Sequence, residues 1–257
     1  MKLYIGTSGW QYGDWNEVFY PPKLPPKDRL SFYAQQFPTV EINSTFYHMP
    51  RESTVQNWHA TVPEDFVLTI KLNRYFTHLK RLAVDAEFEK ALQAFLRSAQ
   101  HCGRKLGSIL VQLPPSLPKN YHKLEAFIAA IHRQEEALNC RLPLSIEFRH
   151  ASWFDVEIND LLDKHGIANV ISSATGIWPE QRTITGRRLY IRFHGDTELF
   201  HSSYSTKQLN QWTDFIRHYQ NEFNVGHIYF NNCYDGVGLQ NAQALRALLD
   251  ANSAAES

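Results

Sequence analysis

The sequence predicts an α/β fold, a single (β/α)8 TIM-barrel-like domain in which the sixth helix is missing or irregular. Three observations predict it. Strand-like and helix-like segments alternate along all 257 residues. No linker or shift in composition divides them into two domains, so one domain over 1–257 is expected, with 253–257 as a frayed tail. Several strand candidates end in polar or charged residues, as the strands of such a barrel do at its mouth. The competing architecture is an open doubly wound sheet. Against it, Gly6-Thr7-Ser8-Gly9 lacks the third glycine and the following helix of a dinucleotide fingerprint.

Lys2–Thr7 is the first strand, followed by an aromatic, proline-rich loop from Trp10 to Pro26. Arg29–Phe37 reads as a short helix, Thr39–Asn43 as the second strand and Glu52–Thr61 as a helix. Phe66–Lys71 is the third strand, and Tyr75–Leu82 a basic loop with Lys80 and Arg81. Helix 85–101 is the clearest, because Phe88, Ala91, Leu92, Phe95, Leu96 and Ala99 recur at the spacing of one buried stripe. Leu106–Gln112 is the fourth strand, stopped by Pro114-Pro115, and Lys119–Glu136 is the next helix. Pro143–Phe148 is the fifth strand, Val156–His165 a helix that Gly166 terminates, and Ile167–Ile171 the sixth strand. Ser172–Arg187 has no helical period, so the crossover there is irregular. Leu189–His194 is the seventh strand. Ser205 and Gln208 form a capping-box pattern ahead of a helix, Val225–Phe230 is the eighth strand, and Gln240–Leu249 closes the chain.

Lys plus Arg and Asp plus Glu both total 26, so there is no global basic excess of the kind a large nucleic-acid footprint needs. Cys102, Cys140 and Cys233 are far apart and odd in number, which fits a reduced cytoplasmic protein rather than a disulfide framework. No signal-like or membrane-spanning apolar run is visible, so no membrane partner is expected.

Taken in order, the strand ends supply Thr7 and Ser8, Glu41 and Asn43, Lys71, Gln112, Glu147 and Arg149, Ser172 and Ser173, Arg192 and His194, and Asn231 and Asn232. Within Glu41-Ile42-Asn43, Glu147-Phe148-Arg149 and Arg192-Phe193-His194, polar residues recur every second position and so share one face. Facing inward, they would line one polar cavity. Individually, Glu147–Arg149 or Glu41–Arg192 reads equally well as a structural ion pair.

These motifs resemble a known family. Gly6-Thr7-Ser8-Gly9-Trp10 with Tyr12 and Trp15, Val40-Glu41-Ile42-Asn43-Ser44-Thr45-Phe46-Tyr47, Gln112-Leu113-Pro114-Pro115-Ser116, Glu147-Phe148-Arg149-His150 with Ser152-Trp153, Tyr190-Ile191-Arg192-Phe193-His194-Gly195 and Phe230-Asn231-Asn232 are similar to those of the domain-of-unknown-function 72 (DUF72, YecE-like) family. The resemblance runs from about residue 2 to 249 and implies a TIM-barrel-like fold, with a suggested similarity to endonuclease-IV-type barrels and no established reaction. Two departures stand out. The pattern carries aspartates at the sixth strand and after Asn231-Asn232, where this chain has Ser172-Ser173 and Cys233.

The first functional expectation is a hydrolase (phosphodiesterase- or endonuclease-like) for a phosphate-containing or nucleic-acid-like substrate. Lys71, Arg149 and Arg192 would hold the phosphate, with Asn43, Gln112, Asn231 and Asn232 as amide partners. Glu147 or Glu41 would be the general base and His194 the proton donor. Trp10 with its loop, Phe46 and Tyr47 would stack on the ligand. Glu41, Glu147 and His194 are enough for one divalent metal at most. The alternatives are a sugar-active enzyme using the two glutamates, of glycosidase or isomerase type, and a non-catalytic barrel that binds a small anion. Cys233 lies beside the site without an activating base in sequence.

Overall fold

The computed structural model describes residues 2–253. Eight parallel strands close into a barrel in sequence order, β1 next to β8. They are β1 (Lys2–Ser8), β2 (Thr39–Ile42), β3 (Val67–Lys71), β4 (Leu106–Gln112), β5 (Leu144–Glu147), β6 (Ala168–Ser173), β7 (Arg188–Phe193) and β8 (Val225–Phe230). The helices are α1 (Arg29–Gln36), α2 (Ser44–Tyr47), α3 (Glu52–Thr61), α4 (Ala86–Ala99), α5 (Tyr121–Leu138), α6 (Val156–Lys164), α7 (Thr206–His218) and α8 (Val237–Ser253). Among the described residues no helix is long and apolar enough to cross a membrane.

Alternation along the strands divides the core in two. Val40, Ile42, Leu68, Ile70, Ile109, Val111, Ile146, Ile171, Ile191 and Ile228 belong to the large apolar layer beneath the helices. Leu110, Ala168, Val170, Tyr190 and Tyr229 form a separate cluster within the barrel. The inner layer is tied by polar contacts: the Tyr229 hydroxyl meets Thr39 Oγ1 at 2.7 Å and Thr69 Oγ1 at 2.8 Å. Alternation therefore puts Glu41, Lys71, Gln112, Glu147 and Arg192 on the inner face at the carboxyl ends.

The seam between β1 and β2 is short, pairing only Thr7 with Val40 and Ser8 with Glu41. Tyr33 of α1 bridges it: its buried hydroxyl accepts from Thr7 N (2.9 Å) and donates to Thr39 O (3.0 Å). A Cβ at Gly6 would stand 2.2 Å from Thr39 O, a backbone atom that cannot swing away. Gly6→Ala should therefore cost about 1–3 kcal/mol or more by overpacking. An unchanged urea midpoint would contradict that.

Local chemistry sets the helix ends. The Asp85 side chain accepts from Phe88 N, and the Asn120 side chain accepts from Lys123 N, so α5 starts at Tyr121 rather than Lys119. Ser205 and Gln208 form the predicted capping box of α7. The 174–187 crossover has no helix, as its lack of period predicts. Tyr75–Leu79 is a single π-helical turn, where composition suggested a loop. Four-residue α2 is too short to show a period. In the predicted tail, Ser253 ends α8 and 254–257 lie outside the described residues.

The Trp10–Pro26 loop packs over the barrel end. Trp15 and Tyr20 are buried, and Trp15 Nε1 donates to Cys233 O at 2.8 Å, tying the loop to the end of β8.

Candidate functional site

The floor of the mouth is an ion network in which every member but Arg149 is buried. Arg192, from β7, donates through Nε and Nη2 to the Glu41 carboxylate of β2 (3.0 and 2.7 Å), and through Nη1 to Glu147 of β5. Glu41 also accepts from Ser8 Oγ and from the Tyr190 hydroxyl, both at 2.6 Å. Glu147 accepts from Arg149 Nε at 3.0 Å and Ser172 Oγ at 3.3 Å. Burial alone would push both carboxyls up. For Glu41, the charge and hydrogen bonds of Arg192 outweigh burial and hold it below its usual value. Arg149 and then Arg192 hold Glu147 well below its own.

His194 sits at the edge of this floor. The Asn231 side-chain amide donates to its Nδ1 at 3.0 Å, so Nε2 carries the proton. Nε2 lies 3.4 Å from Glu147 Oε1 but lacks the geometry of a hydrogen bond, so the contact is an electrostatic approach. Burial, then the Arg192 charge, lowers the imidazole to about 4 despite Glu147. His194 should thus remain the neutral Nε2-protonated tautomer at pH 6. Nitrogen-15 NMR checks this, and an imidazolium signal at pH 6 would contradict it.

Above the floor opens a cavity of about 460 Å³, whose lining includes Lys71, Gln112, Arg149, Asn43, Asn231, Phe46, Tyr47 and His78. Arg149 uses only Nε against Glu147 and lies 3.6 Å from the Trp178 ring centroid. Its two terminal nitrogens have no protein hydrogen bond among the described residues, leaving a bidentate edge. Lys71 is 8% exposed, and its Nζ lies 4.2 Å from the Phe46 ring centroid. No carboxylate or hydrogen-bond partner reaches that nitrogen among the described residues. Burial, then Arg192 and Arg149, pulls Lys71 down to about 7 against Glu147 and Glu41. Two carboxylates balance two guanidiniums here, and Lys71 is the charge left over.

The sequence-derived candidates separate into two levels. Asn43, Tyr47, Lys71, Gln112, Arg149 and Asn231 line the cavity. Glu41, Glu147, Arg192 and His194 lie beneath it, fully buried. Two candidates sit elsewhere. The Trp10 ring packs edge-on against Trp58, and its carbonyl accepts from the Tyr20 hydroxyl. Asn232 donates to Ser202 O (2.9 Å) and Asn241 Oδ1 (3.0 Å), joining the end of β8 to α8.

The carboxylates do not suit a divalent metal. Their oxygens already accept from Arg192, Arg149, Ser8, Tyr190 and Ser172, and among the described residues no group of three metal-ligating side chains is arranged to hold an ion. Ser172 bonds Glu147, while burial pushes the Cys233 thiol up to about 12, far from a nucleophile.

Trp178 and Phe200 had no place in the sequence-derived site, whereas Tyr12 belongs to the aromatic loop expected there. Tyr12 and Phe200 line the cavity, and Trp178 covers Arg149 and meets His194 edge-on, 5.2 Å between ring centroids. The available signal was a tryptophan in the crossover that lost its helix. A larger, open groove of about 770 Å³ lies near the carboxyl ends of α5 and α6, where Glu135 pairs with His132 and Arg141.

Known proteins share this architecture. The family model "Protein of unknown function DUF72" matches residues 4–257. The UPF0759 protein YunF of Bacillus subtilis is 23% identical over 96% of this chain and 95% of its own length. YecE of Escherichia coli K12 is 23% identical over 66% of this chain and 58% of its own. A DUF72 family crystal structure from Thermotoga maritima superposes with a TM-score of 0.83 at 26% identity, covering 97% of this chain and all of that one. One from Enterococcus faecalis superposes with a TM-score of 0.80 at 20% identity, covering 96% and 95%, a likeness of fold. With the family model spanning nearly the whole sequence, this chain belongs to the DUF72 family.

Proposed function

We propose that the barrel mouth binds a small phosphate-containing anion between Arg149 and Lys71. The observation that carries this reading is that both cations line one cavity with unused donors, above a floor whose other charges are already paired. Such an arrangement favours an anion of one or two charges, and about 460 Å³ suits a metabolite rather than a polymer. Gln112, Asn43 and Asn231 supply amides at the wall for orientation.

Hydrolysis and sugar cleavage receive less support. Each needs a carboxylate turned toward the ligand, and Glu41 and Glu147 are turned toward Arg192. A nucleic-acid-like ligand is favoured only as far as its phosphate.

Calorimetric titration of the protein with inorganic phosphate and glycerol 3-phosphate tests the reading. Saturable one-to-one binding is expected, and no heat from either ligand at millimolar concentration would overturn it. Turnover of bis(p-nitrophenyl) phosphate that Glu147→Gln abolishes would restore the hydrolase.

A further inference from the structure

We propose that Lys71 is a covalent capture residue, whose amine forms an imine with a small aldehyde or ketone carrying an anionic group held by Arg149. This rests on the anion site proposed above and adds a reaction to it.

An attacking lysine must be reachable, unpaired and partly unprotonated. Lys71 meets the first two by geometry. It ends β3, its backbone carbonyl is held by Thr45 Oγ1 at 2.6 Å, and its stem is buried. Lys71 lines the cavity, with its nitrogen over the face of the Phe46 ring. The other buried lysine is built differently: Lys105 Nζ donates to His59 O and Val62 O, both at 2.8 Å, with Glu64 at 3.4 Å. Lys105 is a structural tie, and Lys71 has no such engagement.

Electrostatics supply the third requirement. The groups acting on Lys71 are Arg192 from β7, Glu147 from the end of β5 and Arg149 just after it, and Glu41 from β2. His78, from the π-helical turn after β3, also lines the cavity and is held near 4, so it is neutral at pH 7. With Lys71 brought to about 7, roughly half of it is a free amine at neutral pH. A desolvated lysine beside other cations is the usual means of activating an amine nucleophile. A lysine meant only to hold an anion gains nothing from losing its proton, and Arg149 supplies a permanent charge for that task.

The step balances without an external oxidant. The Lys71 lone pair adds to the carbonyl carbon, and the amine proton passes to the oxygen, giving a carbinolamine. The C–O bond then breaks, and the oxygen leaves as water with one further proton from cavity solvent. A protonated imine remains. The net change is amine plus carbonyl plus one proton giving iminium plus water.

The test is borohydride trapping on the full-length protein, read by peptide mass spectrometry, with dihydroxyacetone phosphate and pyruvate as phosphate- and carboxylate-bearing probes. The expected result is one adduct, on Lys71, with at least one probe. Its yield should rise between pH 6 and 8, and excess inorganic phosphate should suppress it. Arg149→Met should lower capture of both probes at least tenfold more than it lowers capture of uncharged acetaldehyde, which falls only through the higher titration of Lys71 once that cation is gone. Phosphate binding without a Lys71 adduct, or adducts spread evenly over exposed lysines, would overturn the inference and leave the anion site standing. Absence of both phosphate binding and adduct would remove the two together.

Discussion

Arg192→Met is expected to destabilise the protein by about 3–5 kcal/mol at pH 7, because it leaves a buried carboxylate without its counter-charge. Arg192 supplies the guanidinium for Glu41 and part of that for Glu147. Glu147 keeps Arg149, whereas Glu41 keeps only Ser8 and Tyr190, two neutral donors. For a chain of this size the loss corresponds to roughly 6–20 °C in melting temperature. The pH dependence should also change sign. In the wild type both carboxyls are lowered, so their contribution is complete above the unfolded value near 4.5 and is lost as pH falls below it. In the variant, burial raises Glu41, so stability is better at low pH and declines as pH rises through the raised value. Melting curves at pH 5 and 8 should show the gap from wild type narrowing at pH 5. A variant as stable as the wild type at pH 8 would contradict the paired floor.

Arg149→Met is expected to weaken phosphate binding about tenfold to a hundredfold, the worth of a charge-assisted bidentate contact. The fold should tolerate it. Arg149 lies at the cavity wall, Glu147 retains Arg192, and a methionine still covers the Trp178 face. The substitution also removes one cation that lowers Lys71, so the amine should titrate higher than about 7. Calorimetry on folded variant protein reads both effects, and unaltered phosphate affinity would remove Arg149 from the site.

The barrel and the position of its mouth were legible in the sequence, because both follow from periodicity. Strand alternation put Glu41, Glu147 and Arg192 on the inner face, and the 172–187 stretch lacked helical spacing, as observed. Depth was not legible. Nothing local to Glu147-Phe148-Arg149 says that the glutamate faces a guanidinium 45 residues away while the arginine keeps a free edge. That division depends on which strand ends meet across the barrel. Trp178 was missed for a related reason: an irregular crossover carries no period, so no spacing says where its tryptophan lands. Trp10 and Asn232 showed the converse. Motif position placed them at the mouth, while packing against Trp58 and hydrogen bonding to Asn241 draw them away from the cavity.

An anion site at the mouth rests on Arg149 and on a lysine with no ion-pair partner among the described residues. Sulfate tests it most directly, since its charge does not change between pH 6 and 9. A bound dianion favours protonated Lys71 and raises its pKa from about 7, so binding takes up a proton. Calorimetric titration should therefore find sulfate bound most tightly below pH 7, with affinity falling by about tenfold or more by pH 9. No sulfate binding at pH 6, or an affinity that is flat or rising from pH 6 to 9, would contradict the account.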